Sequence, residues 1–268
     1  MQEKIHHTTQ GSIHYWTDAC APGPMTLVLL PGLTADHRLF DRQIEAFRGR
    51  WRLLAWDPPG HGASRPFALT FGLADKARWL HAILEQEGVS RFCLVGQSMG
   101  GYVAQSFLQQ FPGQAAGFIS IDSAPLGRRY TTAAELWMLR RCEPVYRLYP
   151  WQALRQAGAS GCARSIYGQA LMRHMMDGYT HSEYAALAGH GFRMLADAIA
   201  SDLPYPIDCP ALLLCGSRDQ AASTRRYNRA WAKTTGLPLV WVPHAGHNSN
   251  TDNPAFVNQQ IDAFVRRL

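Results

Sequence analysis

Six short, mainly apolar runs constrain this chain more than any other feature: 25–30, 51–56, 91–95, 117–121, 211–215 and 238–242. A strand wet on one face alternates apolar and polar residues, because successive side chains point to opposite faces. These runs do not alternate. Both of their faces must be buried, which is the situation of strands in a parallel sheet covered by helices. Breakers end several of them: Pro31-Gly32, Asp57-Pro58-Pro59-Gly60 and Gly96. Between the runs lie stripes at helical spacing: Leu73, Ala77, Leu80 and Leu84; Val103, Phe107 and Phe111; Val257, Ile261, Phe264 and Leu268. Asn253 is placed to cap the last of these, with Pro254 at its first position. The alternation of strand and helix predicts an α/β fold with a mostly parallel, doubly wound sheet. Residues 3–20 differ: His6 to Trp16, with a turn at Gly11, reads as an antiparallel hairpin on the sheet edge.

One stretch interrupts the alternation. Residues 127–200 carry little strand pattern and much helical composition, and no Gly/Ser linker flanks them. The expected organisation is a core of residues 1–126 and 201–268 with a helical cap, 127–200, inserted in it. At 268 residues with 47% hydrophobic content, the chain has ample material for such a core.

Charge and cysteine usage narrow the function classes. The net charge is +6, but lysine and arginine occur in runs no longer than pairs such as Arg140-Arg141 and Arg225-Arg226. A nucleic-acid footprint needs basic residues clustered on one face, so nucleic acid is not an expected partner. No apolar stretch resembles a signal h-region or reaches the length of a membrane span, so no membrane association is expected. The six cysteines, Cys20, Cys93, Cys142, Cys162, Cys209 and Cys215, show neither a C-x-x-C pair nor zinc spacing. A reducing cytoplasm is the expected setting, with Cys93 and Cys215 as small buried hydrophobes. The chain has no G-x-G-x-x-G and no P-loop lysine, and the expectation is that it uses no metal and no cofactor.

The sharpest chemical signal is Gly96-Gln97-Ser98-Met99-Gly100, directly after one apolar run and directly before a helical stripe. It fits G-x-S-x-G, the nucleophile elbow. A serine at the tip of a strand-to-helix turn has a strained backbone, and small residues two before and two after it let strand and helix approach. The helix N-terminus then offers free amides to a developing anion.

Taken with other stretches in order, this motif makes the chain resemble the α/β-hydrolase-fold superfamily over roughly residues 10–268. Leu29-Leu30-Pro31-Gly32-Leu33 is similar to the family's loop after its third strand. Asp57 to Ser64 resembles the D-x-x-G-H-G-x-S turn, Gly216 to Asp219 the G-x-x-D that carries the acid, and Ala245-Gly246-His247 the histidine loop. The order Ser, Asp, His is the one this fold requires. The resemblance implies Ser98 as nucleophile, His247 as general base and Asp219 as the acid that orients it. His244 competes for the base and Asp122, after the run 117–121, for the acid. The resemblance gives His61 a structural role, and Asp57 is expected to hold its own turn by Asx-type hydrogen bonds.

The oxyanion donors are expected to be the amides of Met99, after the nucleophile, and, by resemblance, Leu33, each worth about 3–4 kcal/mol in a transition state. Pro31 departs from the family, which usually has histidine there. In the cap, Trp137, Trp151, Met172 and Met176 are candidates for an apolar pocket; Arg140, Arg141 and Arg147 read as surface residues. The expected substrate is a small molecule with an apolar or aromatic acyl part. The leading expectation is a serine hydrolase that cleaves a small ester-type or carbon–carbon bond through an acyl-enzyme on Ser98. The alternatives are a non-hydrolytic enzyme of the same scaffold (a lyase, a perhydrolase or a cofactor-free oxygenase) and a non-catalytic ligand receptor. The elbow predicts covalent labelling of Ser98 by a fluorophosphonate; a Ser98→Ala protein that still takes the label would place the nucleophile elsewhere.

Overall fold

The structure is a computed structural model that describes residues 1–19, 23 and 25–268; Cys20 lies outside the described residues. The strands are β1 (Gln2–His7), β2 (Ser12–Asp18), β3 (Thr26–Leu30), β4 (Arg52–Trp56), β5 (Phe92–Gln97), β6 (Gly117–Ile121), β7 (Ala211–Gly216) and β8 (Leu239–Val242). The helices are α1 (Asp41–Phe47), α2 (Leu73–Gln86), α3 (Met99–Gln110), α4 (Ala133–Arg140), α5 (Glu143–Leu148), α6 (Trp151–Cys162), α7 (Ile166–Asp177), α8 (His181–Ala200), α9 (Thr224–Thr235), α10 (Ser249–Asp252) and α11 (Pro254–Val265).

The described strands form one eight-stranded sheet in the order β1-β2-β4-β3-β5-β6-β7-β8. β1 and β2 make the edge hairpin, registered from Gln2 opposite Thr17 to His7 opposite Ser12, and β2 runs antiparallel to β4. All later pairings are parallel. The absence of alternation in the apolar runs now has its cause. Val28 and Leu30 of β3 face a cluster with Leu80 of α2 and Phe107 of α3, whereas Leu27 and Leu29 face Phe47 of α1 and Val257 and Ile261 of α11. Helices cover both faces, and every residue of β3, β5, β6 and β7 is buried. Each fully buried aliphatic side chain there contributes about 1.5–3 kcal/mol. Cys93 and Cys215 are buried free thiols within these strands. Asn253 caps α11 by accepting from the Phe256 amide, with Pro254 at the first turn.

Helices α4–α8 fill the chain between β6 and β7. Their ends follow the capping box: the Thr132 and Thr180 side chains accept from the Glu135 and Glu183 amides, and each glutamate reaches back to the threonine amide. The long α8 sits on loops at the carboxyl edge of the sheet. Its Gly191 lies against the Leu33 side chain, and its Leu187 lies over Gly60. Among the described residues, no helix is long and apolar enough to cross a membrane.

Parallel strands bring their carboxyl ends to one rim, so the residues after β3, β5, β6, β7 and β8 converge. At the centre β5 turns directly into α3. A methyl on Gly100 would overlap the Leu30 carbonyl, and one on Gly96 would sit 2.5 Å from the Gly100 carbonyl oxygen. Only glycine allows that approach. Gly100→Ala is therefore expected to lower unfolding free energy by about 3 kcal/mol or more, read from urea denaturation; a stability within error of the parent would show that the turn has slack.

Candidate active site

Ser98 stands between β5 and α3 with φ 49° and ψ −115°, a conformation rare for a residue with a Cβ. Its amide donates to the Ile121 carbonyl at the end of β6 (2.8 Å), which ties the turn to the neighbouring strand. The Ser98 hydroxyl lies 2.9 Å from His247 Nε2, and His247 Nδ1 lies 2.9 Å from Asp219 Oδ2. These three side chains come from 149 and 28 residues apart in sequence. Asp219 is buried and also accepts from the Ala221 amide (2.7 Å), so its orientation is set.

Electrostatics favours a charged His247 once a proton arrives. Burial alone would lower the imidazole's pKa, but the Asp219 hydrogen bond and the charges of Asp219 and Asp122 outweigh it and leave the pKa raised. A histidine that must be neutral to accept a proton then works only above that raised value. His244, the competitor for the base, is exposed, and its amide donates to Ser217 Oγ (3.0 Å).

Asp122, the competitor for the acid, is buried next to the site, and its two carboxylate oxygens accept from backbone amides. Its Oδ1 accepts from the Gly216 amide (2.7 Å) and its Oδ2 from the Ser249 amide (2.8 Å). One carboxylate thereby joins the end of β7 to the loop that carries His247. Burial and the charge of Asp219 push the Asp122 carboxyl up to about 7, against the opposing pull of His247 and the two amide donors.

Two further residues hold the histidine loop and had no signal in sequence. Buried Gln97 donates from Nε2 to the His247 carbonyl (2.9 Å) and to Asn248 Oδ1 (3.1 Å). Asp252 accepts from the Gly246 amide (2.7 Å) and from the amides of Arg164 and Ser165, which links the loop to the start of α7. Gln97 occupied a variable position of the elbow motif, and nothing in its neighbours reveals a partner 150 residues away.

The two expected oxyanion donors are free. Met99 begins α3, so its amide has no partner within the helix. Neither it nor the Leu33 amide has an acceptor among the described residues. The loop after β3 runs against the elbow: a side chain on Gly32 would lie 3.2 Å from Ser98 Cβ. Where the family usually has histidine at Pro31, order comes from Thr34, at φ 63°, whose hydroxyl donates to the Leu33 carbonyl (2.7 Å) and lies 3.5 Å from the Tyr184 hydroxyl on α8. Asp57 holds its turn by accepting from the Ala63 amide (2.6 Å), and it also accepts from the amide and Nδ1 of His37.

The four residues expected to line an apolar pocket fall in different places. Trp137 is 58% exposed on α4 with the Arg141 guanidinium over its ring. Trp151 packs on His181 and Tyr184. Met172 belongs to the main core, and Met176 to a small cluster with Leu154, Tyr179 and Tyr184. Helical spacing identified buried faces here but not which side of the segment they serve. Arg140 and Arg147 pair with Asp197 and Glu143 at the surface.

A sequence profile described as the alpha/beta hydrolase family matches residues 27–260. The chain belongs to the alpha/beta hydrolase family. It is similar to the 2-succinyl-6-hydroxy-2,4-cyclohexadiene-1-carboxylate synthase of Pectobacterium atrosepticum, 29% identical over 92% of this chain and 96% of the relative. The protein of that name from Klebsiella pneumoniae is 30% identical over 88% and 92%. Among solved structures, a thermophilic esterase from Thermogutta terrifontis superposes with a TM-score of 0.81 at 23% identity, covering 100% of this chain and 99% of that one. An enol-lactonase from Burkholderia xenovorans superposes with a TM-score of 0.79 at 20% identity, covering 98% and 100%. These two structures share the fold. The protein is thus an enzyme of the α/β hydrolase superfamily.

If Asp219 is the partner of the base, Asp219→Asn lowers kcat/KM by about 10³-fold or more, because the amide favours the wrong tautomer. The acid limb of the pH profile also moves down, since the Asp219 contributions raise the imidazole pKa. Asp122→Asn puts an NH₂ against an amide donor and is expected to cost about 1–3 kcal/mol of stability with a smaller fall in rate. Rate profiles and urea midpoints for both variants check this; the larger rate loss in Asp122→Asn would reverse the two roles.

Proposed function

We propose that this chain is a non-hydrolytic enzyme of the α/β hydrolase scaffold, a lyase that forms a cyclohexadiene carboxylate by elimination. The observation that carries the reading is the near-full-length similarity to relatives named as 2-succinyl-6-hydroxy-2,4-cyclohexadiene-1-carboxylate synthases. That name describes a carboxylated ring with two double bonds. The polar set at the rim suits its formation. His247, working through the Ser98 hydroxyl 2.9 Å away, removes a proton from a ring carbon next to an electron-withdrawing group. The electron pair left on carbon becomes a ring double bond, and the bond from the adjacent carbon to the leaving group breaks. The leaving group departs as an anion and takes back the proton from the His247 imidazolium. Asp219 stabilises that imidazolium, and the Leu33 and Met99 amides receive the oxygen on which negative charge develops. Residues 127–200 act as the cap that shields this chemistry from water.

Ester hydrolysis through an acyl-enzyme remains the second reading. The strained Ser98 with its hydroxyl hydrogen-bonded to an imidazole favours it, as this is the ground state of an activated nucleophile. The test offers both kinds of substrate to the protein: a carboxylated cyclohexene with a leaving group beta to an acidic C–H, followed by diene absorbance, and short p-nitrophenyl esters. The expected result is diene formation that falls by about 10²–10⁴-fold in His247→Ala, with slow ester turnover. Rapid ester turnover with a burst and no diene would discard the lyase reading for the hydrolytic one.

A further inference from the structure

His247 stands between two residues that are held from the same place. On one side the Asn248 amide donates to the carbonyl of Cys162, the last residue of α6 (2.8 Å). On the other side the Gly246 amide donates to Asp252 Oδ2 (2.7 Å). The same carboxylate accepts at Oδ1 from the amides of Arg164 (2.9 Å) and Ser165 (2.8 Å), which lead into α7. Residues 162–165 are the corner between α6 and α7. One short piece of chain therefore bears on both neighbours of the imidazole, directly at Asn248 and through Asp252 at Gly246.

The corner fits closely against the histidine loop and the short helix after it. A methyl on Gly246 would lie 3.1 Å from the Cys162 carbonyl oxygen and 3.2 Å from Arg164 Cγ. One on Gly168, in the first turn of α7, would lie 2.6 Å from Thr251 Oγ1 and 2.8 Å from the Ala163 Cβ. The corner also reaches the loop of the acid, where the Arg164 guanidinium donates to Gln220 Oε1, next to Asp219. Among the described residues, the hydrogen bonds of the Asp252 carboxylate go to three backbone amides and to no side chain. A carboxylate suits that task because both of its oxygens accept; asparagine offers one acceptor and turns an NH₂ toward an amide donor.

We infer that Asp252 is a positioning residue for His247, and that the α6–α7 corner is the surface against which the imidazole is set toward Ser98 and Asp219. The ring makes two hydrogen bonds, to Ser98 Oγ and to Asp219 Oδ2, each 2.9 Å. Both depend on where residues 246 and 248 stand, and the corner fixes both. Proton transfer is steep in geometry: a misplacement of about 1 Å can cost about 10²-fold in rate. The helices between β6 and β7 thus do more than cover the site, since one of their corners completes it. The inference rests on the reading of His247 as the base, which the lyase and the hydrolytic proposals share.

The rate at which a fluorophosphonate labels Ser98 tests this without a substrate. On the alkaline plateau of that rate, where His247 is neutral, geometry and not protonation is read. Asp252→Asn is expected to lower the plateau at least about tenfold. The low-field proton resonance of the His247–Asp219 hydrogen bond should shift or broaden in parallel. A charge effect alone would move the midpoint of the pH profile and leave the plateau; a role in stability alone would lower the urea midpoint and leave the labelling profile. Gly168→Ala works from the other side of the contact. It changes no charge, wedges α7 away from Thr251, and should slow labelling by about threefold or more. It also serves where Asp252→Asn does not fold. Plateau rates within about twofold of the parent in both folded variants would overturn the inference. Slowing in Asp252→Asn alone would overturn the part given to the corner. A parent that takes no label would instead count against His247 as the base, so the two failures are told apart.

Discussion

The backbone of Ser98 is held where an amino acid with a side chain rarely sits, and the rest of the site is arranged around that constraint. The turn can exist because β5 and α3 approach to a distance that only Gly96 and Gly100 permit. It stays because the Ser98 amide is bonded to β6 and because the apolar faces of β5 and α3 are buried on both sides. Strain of this kind costs on the order of 1–3 kcal/mol and survives only where the surrounding core over-determines it. In return the hydroxyl stands clear of the sheet, and the first amide of α3 is left without an acceptor.

The imidazole is positioned less by its own contacts than by the loop on either side of it. Asp252 fixes Gly246, Gln97 fixes the His247 carbonyl and Asn248, and Asp122 fixes Ser249. Each of these partners comes from a different element: the last short helix, the elbow strand, and the end of β6. The same carboxylates set the electrostatics. Asp219 and Asp122 favour a protonated ring, while burial opposes it, and the outcome is an imidazole that binds a proton more readily than in water. An imidazole tuned in this way suits elimination and acyl transfer alike, which is why the polar set does not by itself distinguish the two reactions.

The seam under α8 has the opposite electrostatic character. There burial holds the Lys76 amine down to about 7 and lowers the imidazoles of His61 and His190. Gly191 and Tyr184 of α8 contact Leu33 and Thr34 in the loop after β3.

The strands and the helices beside them were legible from sequence, since both faces of β3 to β7 are buried and the apolar runs report that directly. The elbow was legible because its glycines and serine are adjacent in the chain. The pairing of His247 with Asp219 rested on likeness to a family, and the preference over His244 and Asp122 became physical only when the loops after β7 and β8 were placed. Gln97, Asp122 and Asp252 were not readable as loop supports, because each acts on a residue remote in sequence or through a carboxylate with no local pattern. Trp137 shows the same limit from the other side: composition identified an aromatic residue in a helical segment, but its exposure depends on which neighbours α4 meets. Local pattern thus determined the elements, their order and the turn at Ser98, because these depend on residues a few positions apart. Tertiary structure alone decided which carboxylate faces the imidazole and what holds its loop, since these contacts join neighbours that the chain brings together only on folding.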